Sequence, residues 1–225
     1  MEKLRIIYSR SKEAIYLSHL DVSRVFQNTL VRANMPVEYS KGFNPRPELV
    51  FAHPLSVGIE STGEIVEIIL SEKIEIPYFI REMNKVAPNG ITILAAEYVG
   101  MEEKNIMSRV YAATYLITFK YDESKFIDKS KRQIEDIKKD YEIKMKNFLD
   151  QREILVLKKS KNRMERIDIK TSIFNYEFLI DGTLEITLST GSKNNLKPDF
   201  VMSGYNEYID EEMEYELKRT RILYN

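Results

Sequence analysis

The sequence has no cysteine and no tryptophan, and its 225 residues include two histidines, His19 and His53. Without cysteine this chain can form no disulfide and can hold neither a thiolate metal site nor an iron–sulfur cluster. Two histidines are few for an imidazole-built metal centre, so neither a metal nor another cofactor is expected. No apolar run approaches the roughly 18 residues that span a bilayer, and the start MEKLRIIYSRSKEAIY lacks the apolar stretch of a signal peptide. The default expectation is a cytoplasmic protein with no membrane contact. Also missing are a phosphate loop, a dinucleotide fingerprint, an HExxH helix and a nucleophile elbow. Nucleotide hydrolysis, zinc proteolysis and hydride transfer therefore lose their usual equipment. A net charge of −1 gives no global field that would argue for nucleic acid.

What is present describes a globular α+β chain. Apolar residues make up 43% and charged residues 31%, enough hydrophobic side chain to bury a core without staples. The length suits one large domain or two of about 100 residues. Residues 4–8 (LRIIY) read as a strand. Ser18-His-Leu-Asp21 opens a helix that runs to about Ala33 and stops before Pro36, with Val22, Val25, Phe26, Leu30 and Ala33 as its buried stripe. Val37–Tyr39 and Leu49–Ala52 are short strand candidates, and Glu64–Leu70 alternates as a half-buried strand. A helix from Pro77 to Val86 carries proline in its first turn. Pro88-Asn-Gly90 then turns the chain into the strand Ile91–Val99. This β-α-β-β-α-β order predicts a ferredoxin-like split βαβ domain over residues 1–103.

Beyond the polar, aperiodic stretch Gly100–Ser108 a similar order returns. Tyr111–Tyr121 is a strand and Ser124–Phe148 a charged helix. Ile154–Leu157, Ile167–Ile173, Tyr176–Ile180 and Leu184–Ser189 follow as strands, the last two joined by an Asp181-Gly182 hairpin. Lys197-Pro-Asp199 starts a short helix and Glu216–Tyr224 closes the chain as a strand. The expectation is two tandem ferredoxin-like (βαββαβ-type) domains with mainly antiparallel sheets, residues 1–103 and 108–225.

Candidate functional residues concentrate in the first half. Ser18 and Asp21 suit the N-cap and N3 positions of a capping-box-like helix start. His19, at the first helical position, should face solvent or a cleft, where an imidazole can take or give a proton. Asp21, Arg24, Asn28 and Arg32 fall within about 80° on the same helix. Arg24 and Arg32 suit two phosphates or carboxylates, yet they could equally be solvated, or Arg24 could pair with Asp21. The loop 39–47 (YSKGFNPRP) is stiffened by two prolines, and Gly42 permits a positive φ. It offers Tyr39, Lys41, Phe43, Asn44 and Arg46, rings with cations and an amide, which suits splayed nucleotides and suits a protein surface almost as well. Burial of Tyr39 and Phe43 in the core is the competing reading. Gly58 and Gly63, with Pro54, exceed what two simple turns require, and His53 beside them reads as a structural histidine. Farther on, residues 152–170 hold seven basic and three acidic side chains. There Lys158, Lys159, Lys161, Arg163 and Arg166 make a second positive strip, for which a solvated, lysine-protected strand edge is the plain alternative.

The strings SHLD-x-x-R at 18–24, YSKGFNPRP at 39–47 and AHPLSVGIES-x-GE at 52–64 resemble the radical-SAM-linked family of bacterial proteins. Ile167-Asp-Ile169, Leu196-Lys-Pro-Asp199 and the terminal Arg219-Thr-Arg-Ile-Leu-Tyr224 are looser matches to it. The resemblance implies an accessory or substrate-presenting role beside a separate radical SAM protein, which would supply the cluster. It also inclines the expectation toward RNA modification or maturation. The alternative is a metal-independent RNA-processing endonuclease. In that reading His19 activates a 2′-hydroxyl and Lys41 or Arg46 stabilises the phosphorane charge.

Overall fold

The computed structural model describes residues 1–160 and 163–225. The chain is mixed α+β with mostly antiparallel strand pairing. It divides into two compact units: residues 1–112 with 218–225, and residues 113–217.

Unit 1 is built on β1 (Glu2–Arg10), β2 (Leu49–Phe51), β3 (Glu60–Leu70) and β4 (Ile91–Val99), with helices α1 (His19–Arg32) and α2 (Ile76–Val86). β1 lies between β3 and β4 and is antiparallel to both, Ile6 facing Val66 on one side and Ala96 on the other. β2 pairs antiparallel with the far half of β3. Alternation decides which side chains go inward. Leu4, Ile6 and Tyr8 meet Val66, Ile68 and Leu70 under the helices, where Phe26 and Leu30 of α1 and Phe79 and Met83 of α2 complete the core.

α1 begins where Ser18 and Asp21 close a capping box. It ends where Asn34 takes a positive φ, two residues before Pro36. Val37–Tyr39 does not form a strand; isolated bridges Val37↔Leu70 and Tyr39↔Pro47 stand in its place. The opposite sheet face carries Arg5, which is buried and ion-paired to Glu67 at 2.8 Å. Glu67 also accepts the Ile106 N–H at 3.0 Å. That bond anchors a short helix, α3 (Ile106–Arg109), inside the stretch 100–108, which sequence polarity had marked as a plain boundary.

Unit 2 contains β5 (Val110–Lys120, entering from unit 1), α4 (Lys131–Leu149), β6 (Leu155–Ser160), β7 (Arg163–Asp168), β8 (Ile173–Phe178), β9 (Leu184–Ser189), α5 (Pro198–Ile209) and β10 (Glu214–Tyr224). Its strands run in the order β10-β5-β9-β8, and β6-β7 is a separate hairpin. Two expected elements are cut short. The helix expected from Ser124 becomes a 3-10 turn at Glu123–Phe126, because Asp128 adopts φ 63° and Ser130 caps a new start with Gln133. The strand expected over Ile167–Ile173 ends at Asp168. The Asp168 carboxylate accepts the N–H groups of Ile154 and Lys170, each at 2.9 Å, and folds the chain into a turn. The last eight residues, Lys218–Asn225, pack with unit 1, where Lys218 and Arg219 run parallel to Glu60 and Ser61. No helix among the described residues is long and apolar enough to cross a membrane.

Candidate functional site

A knot of buried polar side chains fixes the chain at His53. Arg219 of β10 forks onto Glu64 of β3, Nε to Oε1 at 2.8 Å and Nη2 to Oε2 at 2.5 Å, with side chains 1% and 4% exposed. Its Nη2 also donates to the His53 carbonyl at 2.9 Å, and the Ser61 hydroxyl donates to the Arg219 carbonyl at 2.8 Å. Glycine is what lets the strands close up here. A Cβ on Gly63 would stand 2.2 Å from the Thr220 carbonyl oxygen. Arg10, equally buried, donates to the carbonyls of Ala14 (2.8 Å), Ile15 (2.7 Å) and Leu17, which orders the turn leading into α1. Tyr8 beside them is buried, and burial first, then the Glu64 carboxylate, pushes its phenol well above the ordinary value. Two guanidiniums face one carboxylate in this knot, so a positive charge is left in excess under the surface.

Both histidines lie close to this knot: the His53 carbonyl is bonded into it, and His19 is within reach of the His53 charge. His19 is half-buried, its ring edge-on to Phe51 with centroids 5.1 Å apart. His53 is also half-buried, and its backbone is gripped by Arg219. Burial, then the Arg219 cation, lower the His53 imidazole to about 4; Glu64 opposes them, and His19 adds to the lowering. At neutral pH His53 is therefore an uncharged ring. Among the described residues neither imidazole has a hydrogen-bond partner. Tyr16, Leu20 and Val57 stand more than half exposed nearby in the chain. Gly58, at φ 87°, donates its N–H to the Ile15 carbonyl at 2.8 Å and ties the Val57 turn to the Tyr16 turn.

The loop 39–47 projects from the same unit. Ser40 and Arg46 close it reciprocally: the Ser40 N–H donates to the Arg46 carbonyl at 2.9 Å, and the Arg46 N–H donates to the Ser40 hydroxyl at 3.1 Å. Between them Lys41, Gly42, Phe43, Asn44 and Pro45 are exposed, and Gly42 sits at φ 149°. The Phe43 ring is fully exposed and Tyr39 is 47% exposed, so the competing reading, burial of both rings, does not hold. From Pro47 the chain runs straight into β2 and Phe51, an extended path of about 13 Å at ~3.3 Å per residue. The loop base is thereby tied to the ring on which His19 packs.

The α1 stripe is more committed than its spacing suggested. Arg24 pairs with Asp21 at 3.5 Å, and both are exposed. Arg32 donates to the Val86 carbonyl at the end of α2 at 2.9 Å. Ser18 is the N-cap already described. The second strip belongs to unit 2. Lys158 is exposed on β6 opposite Glu165, and Arg166 of β7 pairs with Glu207 at 2.5 Å. Lys161 and the side chain of Arg163 lie outside the described residues.

Sequence reasoning passed over Tyr8, Arg10, Glu64 and Arg219 and read His53 as merely structural. A signal was present: Arg5 and Arg10, Glu64 and Glu67 interrupt apolar strands, and a charge there needs a buried partner.

No curated protein matches the chain. A chain in the solved structure titled "Crystal Structure of a Cbf5-Nop10-Gar1 Complex" is 12% identical, with a TM-score of 0.45. The alignment covers 97% of this protein but 48% of that chain, so this protein spans about half of that chain's length. A likeness at that level carries neither a fold assignment nor a function. Residues 3–198 match the family described as an uncharacterised protein conserved in bacteria, DUF2344, and the chain belongs to that family.

Proposed function

We propose that this protein is a non-catalytic binding module that holds an RNA strand for modification or maturation by a separate radical SAM enzyme. The observation that supports it best is the loop 39–47, which displays a fully exposed Phe43 on a frame closed by Ser40 and Arg46. An exposed ring flanked by Lys41, Asn44 and Arg46 is a platform on which an unstacked base can lie while cations meet the backbone. The link to a radical SAM enzyme rests on the resemblance carried by the 18–64 motifs, and in this reading the partner supplies the cluster, since these 225 residues hold no thiolate. In a binding assay with an unstructured RNA oligonucleotide, Phe43→Ala is expected to lose about tenfold in affinity, since stacking on an aromatic ring is worth ~1–3 kcal/mol per base. Full affinity in Phe43→Ala, with the protein folded, rules this site out. Recovery of a radical SAM protein with this chain from native cytoplasm supports the second half of the proposal, and recovery of RNA without such a protein removes it.

The two partnerless imidazoles favour a second reading, a metal-independent RNA-processing endonuclease. There His19 takes the proton of a 2′-hydroxyl, whose oxygen attacks phosphorus to form a 2′,3′-cyclic phosphate, while the 5′-oxygen leaves as a hydroxyl with a proton drawn from solvent. Cleavage in the presence of EDTA that disappears in His19→Ala supports it, and no cleavage of cellular RNA excludes it. On the fold, we propose that both units are ferredoxin-like. The supporting orders are β4-β1-β3 with β2 beyond in unit 1, and β10-β5-β9-β8 in unit 2.

A further inference from the structure

We infer that His19 and His53 form an anion subsite that receives a phosphodiester group of the bound RNA strand. The inference deepens the RNA-binding reading above and rests on it. Three observations converge. First, the two rings are close enough that the charge of His19 acts on His53. His19 packs on Phe51, and His53 follows two residues later, within about 7 Å of extended chain. Second, both rings are half-buried yet have no hydrogen-bond partner among the described residues, so donors and acceptors stand ready at a partly desolvated surface. Third, the groups that face them carry an excess of positive charge. Arg219 of β10 and Arg10 of β1 are cations facing Glu64 of β3, Tyr8 of β1 stays neutral, and on α1 the Asp21 carboxylate is held by Ser18 and paired with Arg24. The start of α1, at His19 itself, adds the positive end of a helix dipole.

Such a field draws an anion and repels a proton from the empty site. Arg219 already acts on His53 in this way. A bound phosphoryl group reverses the balance. Its negative charge compensates an imidazolium, so the ring takes up a proton as the anion arrives, and affinity rises as the pH falls. The exposed Tyr16, Leu20 and Val57 would rim the subsite with apolar surface, and Tyr16 would offer a ring to the neighbouring base.

The composition makes the test clean, because two histidines give two ring signals in a proton–nitrogen spectrum, assigned with His19→Asn and His53→Asn. The probes are inorganic phosphate in one arm and an unstructured RNA oligonucleotide in the other. Both signals are expected to move saturably in both arms. With phosphate bound, the His53 titration midpoint should rise from about 4 by about one pH unit or more. His53→Asn should weaken RNA binding by about tenfold at unchanged thermal midpoint, the loss typical of a hydrogen bond to a charged group. RNA that binds in a Phe43-dependent way while both imidazole signals stay fixed in both arms overturns the subsite and leaves the RNA reading intact. Signals moved by phosphate in a protein that binds no RNA keep the subsite and remove RNA as the source of its anion.

Discussion

Glu64 and Arg219 show what a charge inside an apolar strand requires. The fork between them satisfies both oxygens of the carboxylate, and the remaining guanidinium donors reach the backbone of His53 and Pro54. Removing one partner strands the other without water. Glu64→Gln or Arg219→Met should each destabilise unit 1 by about 3–5 kcal/mol, read from urea unfolding. The double replacement should lose less than the sum of the two, and strict additivity would contradict the pairing. His53 makes a second prediction at this scale. Its folded value, about 4, lies below the ordinary 6.5, so below pH 6.5 the unfolded chain binds a proton that the folded chain refuses. The stability that neutral His53 contributes is therefore complete above pH 6.5 and is lost progressively as the pH falls toward 4. His53→Asn should flatten that part of the stability profile, and an unchanged slope in the variant would show that the ring titrates normally.

At the scale of elements, legibility followed locality. The start of α1 was readable because Ser18, Asp21 and the Val22–Leu30 stripe are all local. The capping box is present, with the Ser18 hydroxyl accepting the Asp21 N–H at 3.2 Å and donating to its carboxylate at 2.6 Å. Ser18→Ala should cost about 1 kcal/mol of unit 1 stability, measured by denaturant unfolding. No loss would mean that α1 is held by tertiary packing alone. The α4 start misled because the periodicity of Phe126 and Ile134 spans a break that only backbone conformation reveals, at Asp128. The 39–47 loop was legible from its prolines and Gly42, but the outward direction of Phe43 was not, since composition cannot say which way a loop ring turns. Nor could spacing alone show that Arg32 would donate to the Val86 carbonyl.

At the scale of the whole chain, the least legible feature was the return of Lys218–Asn225 to unit 1, since a pairing 155 residues apart in sequence has no local signature. Its consequence is large. These eight residues bring Arg219 to Glu64, Thr220 against Gly63, and Tyr224 under the Arg5 guanidinium at 4.8 Å. Deleting 218–225 should therefore unfold unit 1, seen as loss of its protected amides in hydrogen exchange, whereas persistence of that protection would make the segment an appendage. The measurement that tests the central claim most directly is the salt dependence of binding to an unstructured RNA oligonucleotide. With Lys41 and Arg46 each meeting a phosphate and the His19–His53 subsite a third, log affinity should fall against log salt with a slope of about −2. Arg46→Ala should make the slope shallower by about 0.7. An affinity that ignores salt, or a slope that Arg46→Ala leaves untouched, would contradict the account.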